Sequence, residues 1–175
     1  LYSEDSPLKG GQIEIKYMTA KEEDILTSQN LIKKGVVIDK LLDSLIVSEG
    51  VTTENLLIGD KNAVMVAARI LAYGGDYTVE VTDPKTGETQ ENTFDLTTCK
   101  FKELPDNVDY TENKFELELP ISKVNITFKL LTGKDEVSIA DDLKSLAKIG
   151  QPAEVTTRLK NVITSVNGDT SVSVI

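Results

Sequence analysis

The chain has no histidine and no tryptophan, and its only cysteine is Cys99. Without His there is no side chain whose ordinary pKa lies near neutrality, and neither a Ser-His nor a Cys-His nucleophile pair can be built. A lone Cys permits no disulfide within the chain, and an ordinary zinc site lacks its ligands. Positive charge is also scarce, with 19 Lys and Arg against 29 Asp and Glu and a formal net charge of −10. Phosphate contacts would work against that field, so nucleic acid and anionic membrane are poor partners. No apolar run approaches the roughly 20 residues of a bilayer crossing, and no basic-then-apolar signal opens the chain, which reads as soluble, without a membrane anchor, and cytoplasmic when made. Leu1 in place of an initiator Met and the apolar closing run Ser171 to Ile175 lead us to expect part of a longer polypeptide, truncated at both ends.

What is present suffices for one domain with a real core, or a small domain plus an appendage, at 175 residues. After a loop from Leu1 to Gly11, Ile13, Ile15 and Tyr17 alternate with Glu14 and Lys16 as a strand would. Thr19 then stands three residues before Glu22, a capping box that starts a helix at Ala20, expected to run to about Leu31 and to stop near Gly35. A second helix, about Val37 to Val47, carries Val37, Leu41, Leu42 and Leu45 on one face. A third is expected after Asp60 as N-cap, with Val64, Ala67, Ala68 and Leu71 inward and Gly74 as its stop.

Tyr77 to Val81 and Thr89 to Leu96 flank Asp83-Pro84-Lys85-Thr86-Gly87, which predicts a β-hairpin. Thr97 to Glu112 reads as a loop that Phe101 and Leu104 pin to a core. The alternations Phe115-Leu117-Leu119 and Val124-Ile126-Phe128-Leu130 predict two half-buried strands. Ser138 with Asp141 is expected to cap a helix presenting Ile139, Leu143, Leu146 and Ile149, ended by Gly150. Pro152 suits the first turn of a last helix with Val155, Leu159 and Val162 on one face, and Asn167-Gly168 marks a turn into a final strand-like segment. The expected class is α+β, with a helical N-terminal half, a mainly antiparallel β region and two C-terminal helices. The expected divisions are 1–75, 76–135 with the hairpin at 77–96, and 136–175, packed as one compact unit.

Catalytic groups are hard to find. Glu22, Glu23, Asp24, Glu116 and Glu118 supply carboxylates, but Glu22 to Asp24 fall in a first helical turn and Glu116 and Glu118 on the polar face of a strand, so capping and solvated faces account for them. A glycosidase pair needs two such groups across a cleft, one with its pKa raised by burial. Gly133-Lys134 lacks the upstream Gly of a phosphate loop, and Asp135 stands where Ser or Thr would bind magnesium, which leaves a strand-to-helix turn. Asp83 to Glu91 has Lys85 and Thr86 where a calcium loop needs ligands. Cys99 lies near Lys100 and Lys102 without a base and reads as a partly buried structural thiol. No catalytic, cofactor-binding or metal-binding residue is assigned.

Several ordered blocks carry a resemblance. They are Leu1-Tyr2-Ser3 with Ile13 to Ser28, Asn30 to Gly35 through Leu41-Leu42, Leu57 to Tyr73, Tyr73-Gly74-Gly75-Asp76-Tyr77, Phe128 to Glu136, Thr157-Arg158-Leu159-Lys160, and Ile163 to Gly168. Together they closely resemble the baseplate hub subunits and hub assembly proteins of T-even-type contractile-tailed bacteriophages. In relatives the hairpin tip often carries a Cys-Pro-x-Cys-Gly knuckle, like half of a zinc ribbon; here Asp83 to Gly87 keep the Pro and Gly but neither thiolate.

The resemblance implies a non-enzymatic structural component of the baseplate hub, without a cofactor, found in the virion tail and in the host cytoplasm during assembly. Its partners would be other baseplate or hub proteins, met in multiple copies in a symmetric assembly. The alternatives are a hub assembly chaperone absent from the mature particle, a tail-associated peptidoglycan hydrolase, and a soluble host protein with a binding domain. The expected partner interface is the apolar set Ile25, Leu26, Leu41, Leu42 and Leu45, more than one short helix can hide against a small sheet.

Overall fold

A computed structural model describes residues 1–100, 103–150 and 153–171. The chain divides into two compact units, one of 1–13, 48–61 and 106–175, the other of 14–47 and 62–105. The class is mixed α+β: among the described residues there are six α-helices, a two-stranded sheet and a three-stranded sheet, both antiparallel.

The second unit opens with Glu14 to Met18, where only one bridge forms, Ile15 opposite Ile46, flanked by Lys16 N–H to Leu45 O and Val47 N–H to Glu14 O, both 2.9 Å. The expected strand is thus reduced to a single bridge, and Tyr17 is exposed. Helix α1 (Ala20–Thr27) starts at the expected capping box. It ends earlier than its periodicity predicts, because the Thr27 hydroxyl bonds back to the Glu23 carbonyl at 2.9 Å and Ser28 turns extended. Helix α2 (Gln29–Lys34) then runs to Gly35, whose left-handed backbone closes it as expected.

Helix α3 (Val37–Leu45) packs on α1 and buries Leu41, Leu42 and Leu45. Helix α4 (Ile58–Tyr73) begins two residues before Asp60, which is therefore a first-turn acid and not the N-cap. The earlier start arises because Ile58 N–H already bonds to Leu131 O at 3.0 Å and Lys61 N–H to Leu57 O at 2.9 Å. Val64 and Ala68 are buried as expected, whereas Leu71 is exposed. The division between the units falls within α4, after Lys61. Strands β1 (Asp76–Thr82) and β2 (Thr89–Asp95) form the predicted hairpin in unbroken register from Asp76 opposite Asp95 to Thr82 opposite Thr89. A 3₁₀ turn, Leu96–Thr98, follows. Leu104 is exposed, against the expectation that it pins a core. Phe101 lies outside the described residues.

In the first unit, β3 (Phe115–Glu118) and β4 (Asn125–Phe128) pair as predicted but are shorter, since the chain turns at Leu119 and Lys123 sits at φ 57°. Leu117 is half exposed. A third strand, β5 (Ile163–Val166), pairs with β4 and was not expected, because it follows helix α6 (Glu154–Val162) with no Gly or Pro between them. Asn167 and Gly168 both take positive φ, 50° and 82°, as a tight turn after a strand requires. The strand-like segment expected beyond it, from Val172 on, lies outside the described residues, as does Pro152.

Helix α5 (Gly133–Lys148) corrects two expectations. Its N-cap is Thr132, not Ser138, and the capping box partner is Asp135. Ile139 is buried, but Ile149 at the C-cap is exposed. On α6, Thr157 is buried while Val155 and Leu159 are exposed, so the predicted apolar face is not the inward one. A hydrophobic stripe marks a face without saying what covers it.

The first unit's remaining strut is made by backbone. Leu57 bridges Thr132, Gly133 N–H bonds to Leu56 O at 2.9 Å and Lys134 N–H to Glu54 O at 3.0 Å. A Cβ on Gly133 would lie 2.1 Å from the Thr53 carbonyl oxygen, so only glycine fits. The residue pair that looked like a fragment of a phosphate loop is a close crossing of two backbones.

Candidate functional site

The most committed polar group is Glu22, the third residue of α1. Its side chain is completely buried, although its position in a first turn of acids led us to expect a solvated cap. The capping role holds: Thr19 N–H and the Thr19 hydroxyl both donate to Oε2, at 2.9 and 2.5 Å. The other oxygen accepts from Ser44 Oγ of α3 at 2.6 Å and lies 3.1 Å from Lys16 Nζ. The Ser44 and Thr19 donors together outweigh burial and hold the carboxyl far below the ordinary glutamate range, with Lys16 adding to them. A buried charge survives when such donors replace its water. Ser44 and Lys16 were missed in the sequence; the readable signal was a hydroxyl at position 44, three residues after Leu41 and beside Leu45 on an inward face.

This arrangement stabilises structure and is unsuited to acid catalysis, which needs a carboxyl pushed toward neutrality. Glu23 accepts from the Tyr73 hydroxyl at 2.6 Å, tying the end of α4 to α1, and Asp24 is exposed. Glu116 and Glu118 are exposed on β3, with Lys123 Nζ 3.2 Å from Glu118. An open cleft of about 620 Å³ lies beside β3, bordered by Asp109, Glu112, Lys114 and Phe115. Asp109 is held below its ordinary range by the backbone N–H and side chain of Thr111.

In the first unit Tyr2 is a second, half-buried node. Its hydroxyl donates to Asp60 Oδ2 at 2.6 Å and accepts from Leu57 N–H at 2.9 Å; burial, then the hydrogen bond to Asp60, raise its pKa. Lys129 meets Asp135 at 2.7 Å and Arg158 meets Glu136 at 2.8 Å. Burial opposes ionisation of Asp135, but Lys129 and Thr132 prevail and lower its pKa.

At the hairpin tip Asp83 Oδ1 accepts from Lys85 N–H at 2.7 Å in a turn closed by Gly87 N–H to Asp83 O at 2.8 Å. Cys99, expected partly buried, is exposed, since the chain leaves the 3₁₀ turn there. Among the described residues no group of three or more Cys, Asp or Glu side chains is placed to hold a metal ion.

Of the five residues expected to meet partners, Leu41, Leu42 and Leu45 are buried within the chain and present no surface; Ile25 and Leu26 are partly exposed. The hairpin offers more apolar surface. Tyr77, Val79 and Val81 share a face with Phe94, and Tyr77, Val81 and Phe94 are 42, 40 and 52% exposed. The Arg69 guanidinium anchors its root, 4.9 Å above the Tyr73 ring and 5.7 Å above the Tyr77 ring, and donates to the carbonyls of Gly74 (3.1 Å) and Asp76 (3.3 Å).

These features define a mixed α+β protein whose buried polar groups join its own elements and whose β1–β2 hairpin leaves Tyr77, Val81 and Phe94 exposed on one face. Over residues 2–173 the chain matches the family model for the T4 bacteriophage base plate protein, and it belongs to that family. No curated protein and no solved structure matches it significantly. Membership places it among proteins of the phage tail baseplate, a virion structure. No helix among the described residues is long and apolar enough to cross a membrane.

Proposed function

We propose that this chain is a structural subunit of the baseplate hub that acts by protein–protein contact and catalyses no reaction. The observation that carries the reading is family membership over residues 2–173. The chemistry of the chain supports the non-enzymatic part: it has no His, and Ser44, Thr19 and Lys16 hold Glu22 well below the ordinary glutamate range. The partners are other baseplate or hub proteins, engaged by multiple copies in a symmetric assembly, first in the host cytoplasm and then in the particle. Ile25 and Leu26, partly exposed on α1, contribute to that contact, whereas Leu41, Leu42 and Leu45 serve the chain's own core.

Quantitative mass spectrometry of purified virions tests the reading. A fixed copy number beside hub components is expected. Presence only in infected-cell lysate, bound to hub precursors, replaces the subunit by an assembly chaperone. Turnover of peptidoglycan by the purified chain overturns the non-enzymatic reading.

A further inference from the structure

The β1–β2 hairpin is energetically awkward for a chain on its own. A two-stranded sheet is marginal in water without a covering layer, yet nearly every residue of this one is exposed. Its two faces differ in chemistry. One carries Tyr77 opposite Phe94, then Val79 and Val81 with Asn92 and Gln90 opposite them. The other places Glu80 directly opposite Glu91, between the hydroxyl pairs Thr78–Thr93 (2.8 Å) and Thr82–Thr89 (2.9 Å), and Asp76 opposite Asp95 at the open end, where the Asp95 carboxylate accepts from Thr97. Directly opposed like charges destabilise a sheet. From Asp76 to Asp95 there are six acids and one base, so twenty residues carry −5 of the chain's net −10.

We infer that this hairpin is a docking arm whose apolar face seats in an apolar cleft of a different protein, with lysine or arginine side chains of that partner flanking the cleft and neutralising the acidic face. The charge argues for this occupant. A second copy would set one −5 hairpin near another, and nucleic acid has the same sign as the arm. Bringing basic groups to the opposed Glu80–Glu91 pair relieves the repulsion that the free arm carries there. Arg69 holds the root in place, so the arm is oriented before it meets its partner. The inference rests on the baseplate reading and names the chemistry of the contact.

The experiment uses the full chain and, as probe, baseplates assembled in an infection lacking its gene. Purified wild type, Phe94→Asp and Glu80→Lys are added, and incorporation is measured as a function of salt. Wild type incorporates; Phe94→Asp loses about thirtyfold, the scale of an anchor residue. Glu80→Lys turns a like-charge pair into an opposite-charge pair, so its unfolding midpoint rises while its incorporation falls about tenfold and loses salt sensitivity. Gain of stability with loss of incorporation is an outcome that a purely structural hairpin does not give. Equal incorporation of both variants overturns the arm and leaves the baseplate reading standing; failure of wild type to incorporate overturns that reading and the arm's partner with it. Dimerisation of wild type in sedimentation equilibrium, abolished by Phe94→Asp, makes a second copy the occupant and overturns the basic partner.

Discussion

Ser44 donates its hydroxyl to Glu22 Oε1 at 2.6 Å and so joins α3 to α1 across 22 positions of sequence. With Thr19 on the other oxygen, it keeps Glu22 ionised well below the ordinary range near pH 4.5. A depressed folded-state pKa means that the unfolded chain binds the proton first as pH falls. The stabilisation is therefore complete above about pH 4.5 and is lost progressively below it, as pH moves toward the folded-state value. Glu22→Gln should lower the denaturation midpoint at pH 7 and flatten its acid dependence below pH 4.5. A Glu22→Gln profile parallel to wild type in urea titrations across pH 3 to 7 would remove Glu22 as the source.

The two capping boxes give independent local tests. Thr19→Ala removes the side-chain half of the capping box and the hydroxyl donation to Glu22, while the backbone N–H donation stays, and should cost about 1 kcal/mol. Thr132→Ala removes the acceptor of Asp135 N–H (3.3 Å) and should cost about as much in α5. Equilibrium unfolding measures both, and a loss near zero for either would contradict the cap.

Gly133→Ala should be far worse than an ordinary helical substitution. Alanine normally favours a helix, but here its Cβ meets the Thr53 carbonyl oxygen at 2.1 Å, so backbone must move. The expected loss is about 3 kcal/mol. A stabilised variant in thermal unfolding would show that the crossing of residues 53–54 over α5 is looser than described.

Arg69→Ala should free the root of the hairpin without unfolding the unit. It removes the stacking on Tyr73 and Tyr77 and two donations to carbonyls, an effect of about 1 kcal/mol. Amide hydrogen exchange should accelerate in β1 and β2 and remain unchanged in α1 and α3. Equal protection of β1 and β2 in variant and wild type would deny Arg69 this role.

Local chemistry made much of this protein legible. The Thr19–Glu22 box, the Asn167-Gly168 turn, the tip at Asp83 to Gly87 and the stripe Leu41, Leu42, Leu45 each depend on residues a few positions apart, and each was found where expected. The absence of His and the weight of acidic charge belong to the sequence alone, and the ordered blocks pointed to the baseplate family. Tertiary structure decided what local pattern leaves open. Burial of Glu22 depends on a hydroxyl 22 residues away, and the need for Gly133 on a carbonyl 80 positions earlier. Strand β5 exists because β4 offers it an edge, and the stripe on α6 faces outward while Thr157 faces in. Periodicity sorts residues onto faces, but which face meets protein and which meets water is set by segments distant in sequence, whose contacts no short window contains.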